Sequence, residues 1–118
     1  MNITIIGTGY VGLVTGSCLA YMGNKVICVD INKEKIKRLN QGVVPIFEPG
    51  LEKIIKNSFS SECLKFSCNI KESIEHADVI FIAVGTPMNT DGSSDLTYIF
   101  AASNSIGKYI NSYKIVIT

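Results

Sequence analysis

Residues 2–12 read NITIIGTGYVG, a short and mostly apolar run followed by three glycines in the pattern G-x-G-x-x-G. The run Asn2 to Ile6 predicts a first β-strand, and the apolar segment Val11 to Met22 predicts a helix directly after the glycines. The glycine pattern alone is weak, but between a strand and a helix it is typical of a loop that binds the phosphates of a dinucleotide. The stretch therefore predicts the opening unit of a dinucleotide-binding α/β fold.

The three glycines of this loop have different expected roles. Gly7 permits the tight turn after the strand, Gly9 lets the backbone approach a pyrophosphate, and Gly12 lets the helix pack closely on the strand. The N–H groups of Tyr10 and Val11, at the start of the helix, are expected to point at the phosphates. The alternative interpretation is that the glycines only form a turn.

An acidic residue follows the second predicted strand, Lys25 to Val29. This residue, Asp30, stands 18 positions after Gly12, where a carboxylate accepts hydrogen bonds from a ribose diol. The same carboxylate would repel a 2′-phosphate, so the sequence favours NAD over NADP. The alternative is that Asp30 only caps the next helix, which Asn32 is also placed to begin.

Lys35, Gly85 and Thr86 are further candidate binding residues. Lys35, inside the helix after Asp30, either reaches back along the adenosine half of the cofactor or lies with neighbouring lysines on a solvated face. Gly85 and Thr86 follow the fourth predicted strand, beside the point of strand-order reversal where such sheets bind ligands. Pro87 holds Thr86 extended, so Thr86 is expected to bind the cofactor or substrate, unless the segment is only a turn that ends the strand.

The rest of the chain alternates short apolar runs with helical periodicity, which is typical of a parallel sheet with crossover helices. We therefore expect one domain, residues 1–118, with a Rossmann-type α/β fold: a doubly wound parallel sheet with helices on both faces. The last predicted strand has nothing to cover it, which predicts that the chain is a fragment of a longer enzyme. The other predicted strands are Leu64–Cys68, Asp78–Val84 and Lys114–Thr118. Four further helices are predicted: one that Asn32 caps and Gly42 stops, one opened by Pro49, one at Lys71–His76, and one from Leu96 to Ile110 that Asp95 caps. The last of these carries Ile99, Phe100, Ile106 and Ile110 at core spacing.

Composition excludes several classes of protein. Of the 118 residues, 47% are hydrophobic and 18% are charged, which is too apolar for a disordered chain. Eleven basic against ten acidic residues give a net charge of +1, so no basic surface predicts a nucleic-acid or membrane partner. The longest apolar run, Val79 to Val84, is too short for a membrane span, and the first residues do not resemble a signal peptide. We expect a cytoplasmic protein.

The residues that commonly carry metal or catalytic chemistry are few. Four cysteines without a C-x-x-C pair, together with one histidine, do not predict a metal site, and the cysteines are expected to be buried free thiols. The histidine, His76, is expected at the surface away from the phosphate loop. Glu48 lies in an irregular loop and is expected to cap the helix that Pro49 opens. No catalytic residue is therefore predicted in this chain. The cysteines are Cys18, Cys28, Cys63 and Cys68.

Four stretches of the chain resemble one known family. They are IGTGYVGL at 6–13, VD at 29–30, PIFEPGL at 45–51 and VGTP at 84–87. Together they resemble the N-terminal NAD-binding domain of the UDP-glucose/GDP-mannose dehydrogenases, and the resemblance covers the whole chain. It implies NAD as the cofactor and a nucleotide sugar as the substrate, whose 6-hydroxyl is oxidised to a carboxylate in two NAD-dependent steps through a thiol-bound intermediate. It also implies homodimers formed through parts that this chain does not contain.

The resemblance assigns roles to individual residues. Val11 matches the loop residue whose backbone meets the pyrophosphate, and Asp30 matches the acid that binds the ribose. Lys35 matches the basic residue on the adenosine side, and Thr86 matches the threonine that contacts the cofactor after the fourth strand. The nucleophilic cysteine of the family lies in a later glycine-rich motif, which none of the four cysteines here matches.

Three functions stay open at this point. The first is the cofactor domain of a UDP-glucose 6-dehydrogenase, and the second is that of a GDP-mannose 6-dehydrogenase, which has a similar Glu-Pro-Gly segment. The third is a stand-alone NAD-binding module without catalysis. The chain departs from many relatives at Phe47, where they have tyrosine, and at Asn24, where they have histidine.

Overall fold

The structure is a computed structural model that describes residues 1–118, and strands and helices alternate through most of it. We number the elements in chain order. They are β1 (Asn2–Ile6), α1 (Tyr10–Tyr21), β2 (Lys25–Val29), α2 (Lys33–Asn40), α3 (Leu51–Ser60), β3 (Leu64–Ser67), α4 (Ile70–His76), β4 (Val79–Ile82), α5 (Thr97–Tyr109) and β5 (Ile115–Ile117).

All five strands are parallel and form one sheet in the order β3-β2-β1-β4-β5. The chain therefore runs outward from β1 to β3, returns to the other side of β1, and continues outward through β4 and β5. The reversal falls between β1 and β4, whose carboxyl ends flank the crevice that such sheets use for ligands. The expected doubly wound Rossmann-type fold is confirmed.

Helices cover both faces of the sheet because its central strands are apolar on both sides. Ile5 of β1 lies opposite Cys28 of β2 and Phe81 of β4, on the face covered by α1, α2 and α3. Ile6 lies on the other face, in a smaller core with residues of α4 and α5. The first core contains Ile3, Leu13, Val26, Ile36, Leu39, Leu51, Ile55, Leu64 and Phe66; the second contains Val29, Ile74, Ala77, Ile80, Ala102 and Ile106.

Two predicted features of the helices are wrong in detail. Phe100 was expected in the core but is 62% exposed, and Ile110 is exposed as well. Ile106 is buried as predicted, and α5 also buries Ala102, one turn earlier on the same side. The other side of α5 is uncovered. Helix α3 starts at Leu51 with Gly50 as its N-cap at φ +82°, so the predicted opening by Pro49 falls outside the helix.

The outer strand β5 pairs with β4 and with nothing on its other edge. Ile115, Val116 and Ile117 are all exposed, in contrast to β1 and β2, where four of the five residues of each strand are buried. No helix of the structure has both the length and the apolar composition needed to cross a membrane.

The four cysteines are unpaired but are not all buried. Cys28 is buried, whereas Cys63 is half-buried and Cys18 and Cys68 are exposed. The prediction of buried thiols is therefore wrong for three of them. Cys63 and Cys68 lie directly before and after the short strand β3, and Cys18 lies on the outward side of α1, so a sequence position next to apolar residues does not bury them.

Candidate functional site

The loop between β1 and α1 is built by two glycines that no other residue could replace. Gly7 has φ +111°, and a Cβ atom on it would lie 2.5 Å from the carbonyl oxygen of Ala83, just past β4. A Cβ atom on Gly12 would lie 2.1 Å from the carbonyl oxygen of Gly7. The loop therefore turns tightly between β1 and β4 and packs directly under the first turn of α1, as the glycine pattern predicts.

A further glycine of close approach was missed by the sequence analysis. A Cβ atom on Gly16 would lie 2.5 Å from the sulfur of Cys28 and 3.1 Å from a side-chain carbon of Ile5. Gly16 follows Gly12 by one helical turn on the same side of α1, and this spacing was the available signal. The pair lets α1 lie close to the middle of the sheet.

Gly9 differs from its neighbours because nothing in the protein requires it to be glycine. Its φ of −74° and ψ of −167° are extended values that any residue adopts. No protein atom lies within 4 Å of the position a Cβ atom would occupy. The backbone at Gly9 thus faces open space, which is the arrangement that close approach by a ligand needs.

The N-terminus of α1 offers unused hydrogen-bond donors. The first hydrogen bond of the helix runs from the Leu13 N–H to the Gly9 carbonyl, at 2.9 Å. The N–H groups of Tyr10, Val11 and Gly12 lie ahead of it, no side chain caps this end, and the first turn holds no acidic residue. Free donors and the positive end of the helix dipole together make a favourable position for an anion.

Asp30, immediately after β2, is bound to this loop through its side chain. Its Oδ2 accepts hydrogen bonds from the N–H of Thr8 at 3.0 Å and from the hydroxyl of Thr8 at 2.6 Å. Its Oδ1 accepts one from the N–H of Asn32 at 3.1 Å. The cap of α2 is Asn32, whose side chain accepts from the Lys35 N–H at 3.0 Å, so Asp30 does not serve as that cap.

The carboxyl of Asp30 stays ionised well into the acid range. Partial burial raises its pKa, but hydrogen bonds from Thr8 and Asn32 and the positive charge of Lys35 outweigh that effect and hold the pKa below the ordinary value of 3.8. Lys35 is half-buried on α2, and its positive charge makes the smallest of these contributions to the lowered pKa of Asp30.

The sheet order brings most of the predicted residues together at the carboxyl ends of the strands. Gly7 follows β1, Asp30 follows β2, and Gly85 and Thr86 follow β4 as exposed residues. The carboxyl ends of parallel strands share an edge, and β1 lies between β2 and β4. His76 lies at the opposite edge, where its Nε2 is 3.2 Å from the carbonyl oxygen of Lys25 at the start of β2.

Glu48 joins the loop in a way that the sequence did not predict. The hydroxyl of Tyr10 donates a hydrogen bond to Oε2 of Glu48, which lies 38 positions later in the chain. This hydrogen bond and the negative charge of Glu48 raise the pKa of Tyr10. The expected capping role for the Glu48 side chain is wrong, since α3 has Gly50 as N-cap and no side-chain cap. The contact ties the segment before α3 to the N-terminus of α1.

Replacing Glu48 with glutamine is expected to lower the pKa of the Tyr10 hydroxyl, because the negative charge and the stronger, charge-assisted hydrogen bond are both lost. Titration of ring-labelled tyrosine by NMR measures this, with Tyr10 assigned from the spectrum of Tyr10→Phe. Glu52→Gln removes a charge from neighbouring α3 and is the control, with no expected effect on Tyr10. An unchanged Tyr10 titration in Glu48→Gln would show that the two side chains do not meet in solution.

The whole chain matches one known protein family. The sequence model described as the UDP-glucose/GDP-mannose dehydrogenase family, NAD binding domain, matches residues 1–118. The chain belongs to this family. It is an NAD-binding domain of the UDP-glucose/GDP-mannose dehydrogenases, and NAD is its cofactor. The family membership and the NAD cofactor expected from the four quoted stretches are confirmed.

Curated relatives and solved structures of this family agree with the assignment. UDP-glucose 6-dehydrogenase TuaD from Bacillus subtilis is 49% identical over 98% of this chain and 25% of its own length, and the Pseudomonas aeruginosa UDP-glucose 6-dehydrogenase is 44% identical over 99% and 26%. The chain thus spans about a quarter of the length of the curated relatives it matches.

Two solved structures of family members show the same fold. A ternary complex of GDP-mannose dehydrogenase from Pseudomonas aeruginosa superimposes with a TM-score of 0.87 at 42% identity, covering 91% of this chain and 24% of that one. UDP-D-ManNAc dehydrogenase from Pyrococcus horikoshii gives a TM-score of 0.91 at 33% identity, covering 98% and 27%.

Proposed function

We propose that residues 1–118 are the cofactor domain of a nucleotide-sugar 6-dehydrogenase that oxidises UDP-glucose to UDP-glucuronate in two NAD-dependent steps. The observation that carries this proposal is the free, uncapped N-terminus of α1 beside an ionised Asp30, within a chain that is 44–49% identical to UDP-glucose 6-dehydrogenases. GDP-mannose as the substrate is the second candidate, favoured by the superposition on a GDP-mannose dehydrogenase at 42% identity.

The residues at this edge of the sheet fit NAD. The open space at Gly9 would admit the pyrophosphate, and the N–H groups of Tyr10 and Val11 would donate to its oxygens. A carboxylate accepts about four hydrogen bonds, and Asp30 uses three on Thr8 and Asn32. Its Oδ1 therefore keeps capacity for a ribose hydroxyl.

Two further positions complete the proposed binding residues. Lys35 would lie on the adenosine side, where its charge already acts on Asp30. Gly85 and Thr86, across β1 from Asp30, would meet the other half of the cofactor. When bound, NAD supplies the hydride acceptor. The role of this chain is to bind and orient NAD and to select it over NADP.

Titration calorimetry with NAD and NADP tests the binding half of the proposal, and we expect the chain to favour NAD. Equal affinity for both cofactors would contradict the assigned role of Asp30. The substrate is tested on the intact gene product, by assaying NADH formation with UDP-glucose and with GDP-mannose side by side. Faster turnover of GDP-mannose would replace the first candidate with the second.

We also propose a cytoplasmic location for this enzyme. All four cysteines are unpaired, and Cys18 and Cys68 are exposed. Exposed free thiols persist in reducing compartments, whereas oxidising compartments favour disulfides.

The 118-residue chain by itself is expected to bind NAD without oxidising UDP-glucose. Its one histidine lies at the opposite edge of the sheet. Burial raises the pKa of Cys28 to about 12, which keeps it a thiol at neutral pH. Cys68 directly follows β3, a strand that is separated from β1 by β2. The imidazole and these two thiols are therefore not placed to act in the crevice between β1 and β4, and the carboxylates that lie near it, Asp30 and Glu48, are engaged in hydrogen bonds with Thr8 and Tyr10.

The measurement is NADH absorbance with the purified chain, NAD and UDP-glucose, beside a titration that demonstrates NAD binding. Sustained NADH formation would mean that a group in this chain performs the chemistry. Absence of NAD binding in the same preparation would instead contradict the cofactor site.

A further inference from the structure

Thr8 is a polar residue that the glycine pattern leaves unspecified, yet it is fully buried. Its exposed fraction is 0%, although it lies in a loop between Gly7 and Gly9. Its hydroxyl and its backbone N–H both donate to the same atom, Oδ2 of Asp30, at 2.6 and 3.0 Å. Both hydrogen-bond donors of this buried residue are thus directed at the carboxylate that is proposed to meet the ribose.

A carboxylate at the end of a strand needs such support to hold one orientation. The terminal torsion of an aspartate is broad, and its two oxygens exchange places easily. Thr8 holds Oδ2, and the N–H of Asn32 holds Oδ1 at 3.1 Å. Of the three donors the Thr8 hydroxyl makes the shortest hydrogen bond, and it is the one that a side-chain substitution can remove.

We propose that Thr8 is a positioning residue that sets the preference of this chain for NAD over NADP. The proposal rests on the proposed cofactor site at Asp30. With the Thr8 hydroxyl in place, the carboxylate of Asp30 is held in one orientation. Its negative charge then stays in one place, and Oδ1 directs a free acceptor position to a 2′-hydroxyl. Without the hydroxyl, only the N–H groups of Thr8 and Asn32 hold the carboxylate. It is then held less firmly towards the ribose, so the diol has a poorer acceptor and a 2′-phosphate is repelled less.

A purely structural role for Thr8 would predict different effects on cofactor binding. The hydroxyl would then contribute to the stability of the loop, and its removal would weaken both cofactors equally. The ratio of the two dissociation constants therefore separates positioning from stability. Rescue by serine, which keeps the hydroxyl and loses only a methyl group, separates the hydrogen bond from packing.

The experiment compares wild type, Thr8→Val, Thr8→Ala and Thr8→Ser by titration calorimetry with NAD and with NADP. Valine replaces the hydroxyl by a methyl group of similar size, and alanine leaves room in case valine is not accommodated. In either folded variant we expect NAD to bind about tenfold more weakly and the NAD:NADP preference to fall by about the same factor, since a hydrogen bond to a charged group is lost. Thr8→Ser is expected to keep the wild-type preference.

The titration of the Asp30 carboxyl carbon by NMR adds a readout that needs no cofactor. Loss of the hydroxyl is expected to raise the pKa of Asp30, because a hydrogen bond that lowers it is removed. A raised pKa with an unchanged NAD:NADP preference would overturn the proposal while leaving the cofactor site intact. Unfolding of both hydroxyl-free variants, with Thr8→Ser folded, would overturn it in favour of a structural role. Failure of the wild type to bind NAD would count against the proposed function itself.

Discussion

Replacing Gly9 with valine is expected to weaken NAD binding strongly while leaving the free energy of unfolding nearly unchanged. The backbone angles of Gly9 suit a β-branched residue, and its Cβ atom would meet no protein atom within 4 Å. The new side chain would occupy the space through which the loop is proposed to meet the pyrophosphate. A steric clash of about 3 kcal/mol weakens binding by roughly a hundredfold, which titration calorimetry measures.

Gly12→Ala is the matched control, with the opposite expected outcome. Its Cβ atom would lie 2.1 Å from the carbonyl oxygen of Gly7, so α1 must move away from the loop, and we expect a loss of about 3 kcal/mol or more in the free energy of unfolding. Urea denaturation followed by circular dichroism measures this for both variants. Retained NAD affinity in Gly9→Val would place the pyrophosphate elsewhere, and wild-type stability in Gly12→Ala would contradict the contact between helix and loop.

Replacing Asp30 is expected to have the second largest effect, on both affinity and selectivity. Asp30→Ala removes the ribose acceptor and leaves the buried N–H and hydroxyl of Thr8 without their partner, which costs about 1–3 kcal/mol of stability. NAD binding should weaken by about tenfold or more, since the lost hydrogen bond is to a charged group. Calorimetry with NAD and NADP measures the loss of preference.

Asp30→Asn keeps an acceptor for Thr8 and removes the negative charge. The amide oxygen still accepts from Thr8, whereas the amide NH2 takes the place of Oδ1 and no longer accepts from the Asn32 N–H, and the repulsion of a 2′-phosphate is lost. The control is Asp78→Asn, which removes the same charge at the opposite edge of the sheet, where Asp78 accepts from the Asn2 N–H at 3.1 Å. A wild-type NAD:NADP ratio in Asp30→Asn would show that the charge does not select the cofactor.

The ionisation of Asp30 also fixes the direction of a pH effect. Because its pKa in the folded chain is lowered from 3.8, the stabilisation it contributes is fully present above that value and is lost as pH falls through the folded pKa. The contribution of Asp30 to NAD affinity should therefore be flat through the neutral range and decline only below pH 3.8. A decline centred near neutral pH would have to come from a different group.

The fold was predictable because its signals are local and repeated. The strands at Asn2–Ile6 and Lys25–Val29 were predicted with the bounds that the structure has, since each is a short apolar run ended by glycine or an acidic residue. The strand predicted from Asp78 to Val84 is shorter, Val79–Ile82. An apolar run marks what is buried, whereas a strand also needs a neighbour to pair with along its whole length.

The site was predictable only in part, because several of its contacts join distant positions. Gly7, Gly9, Gly12 and Asp30 have a fixed spacing and were predicted from it. The bond of Thr8 to Asp30 spans 22 positions and that of Tyr10 to Glu48 spans 38, and neither follows from a period or a turn. Phe100 shows the same limit in a helix, since periodicity identifies an apolar side but not whether anything covers it.

The outer strand β5 has a practical consequence for the isolated polypeptide. Its free edge is a row of backbone donors and acceptors that water alone satisfies, and its three side chains are apolar and exposed. Such an edge is a template on which a strand from a second molecule can add, and the new outer strand presents the same opportunity to a third. Concentrated preparations of these 118 residues are therefore prone to aggregate by adding strands to this edge. Dilute samples, or samples in which a partner covers β5, are the ones suited to titration.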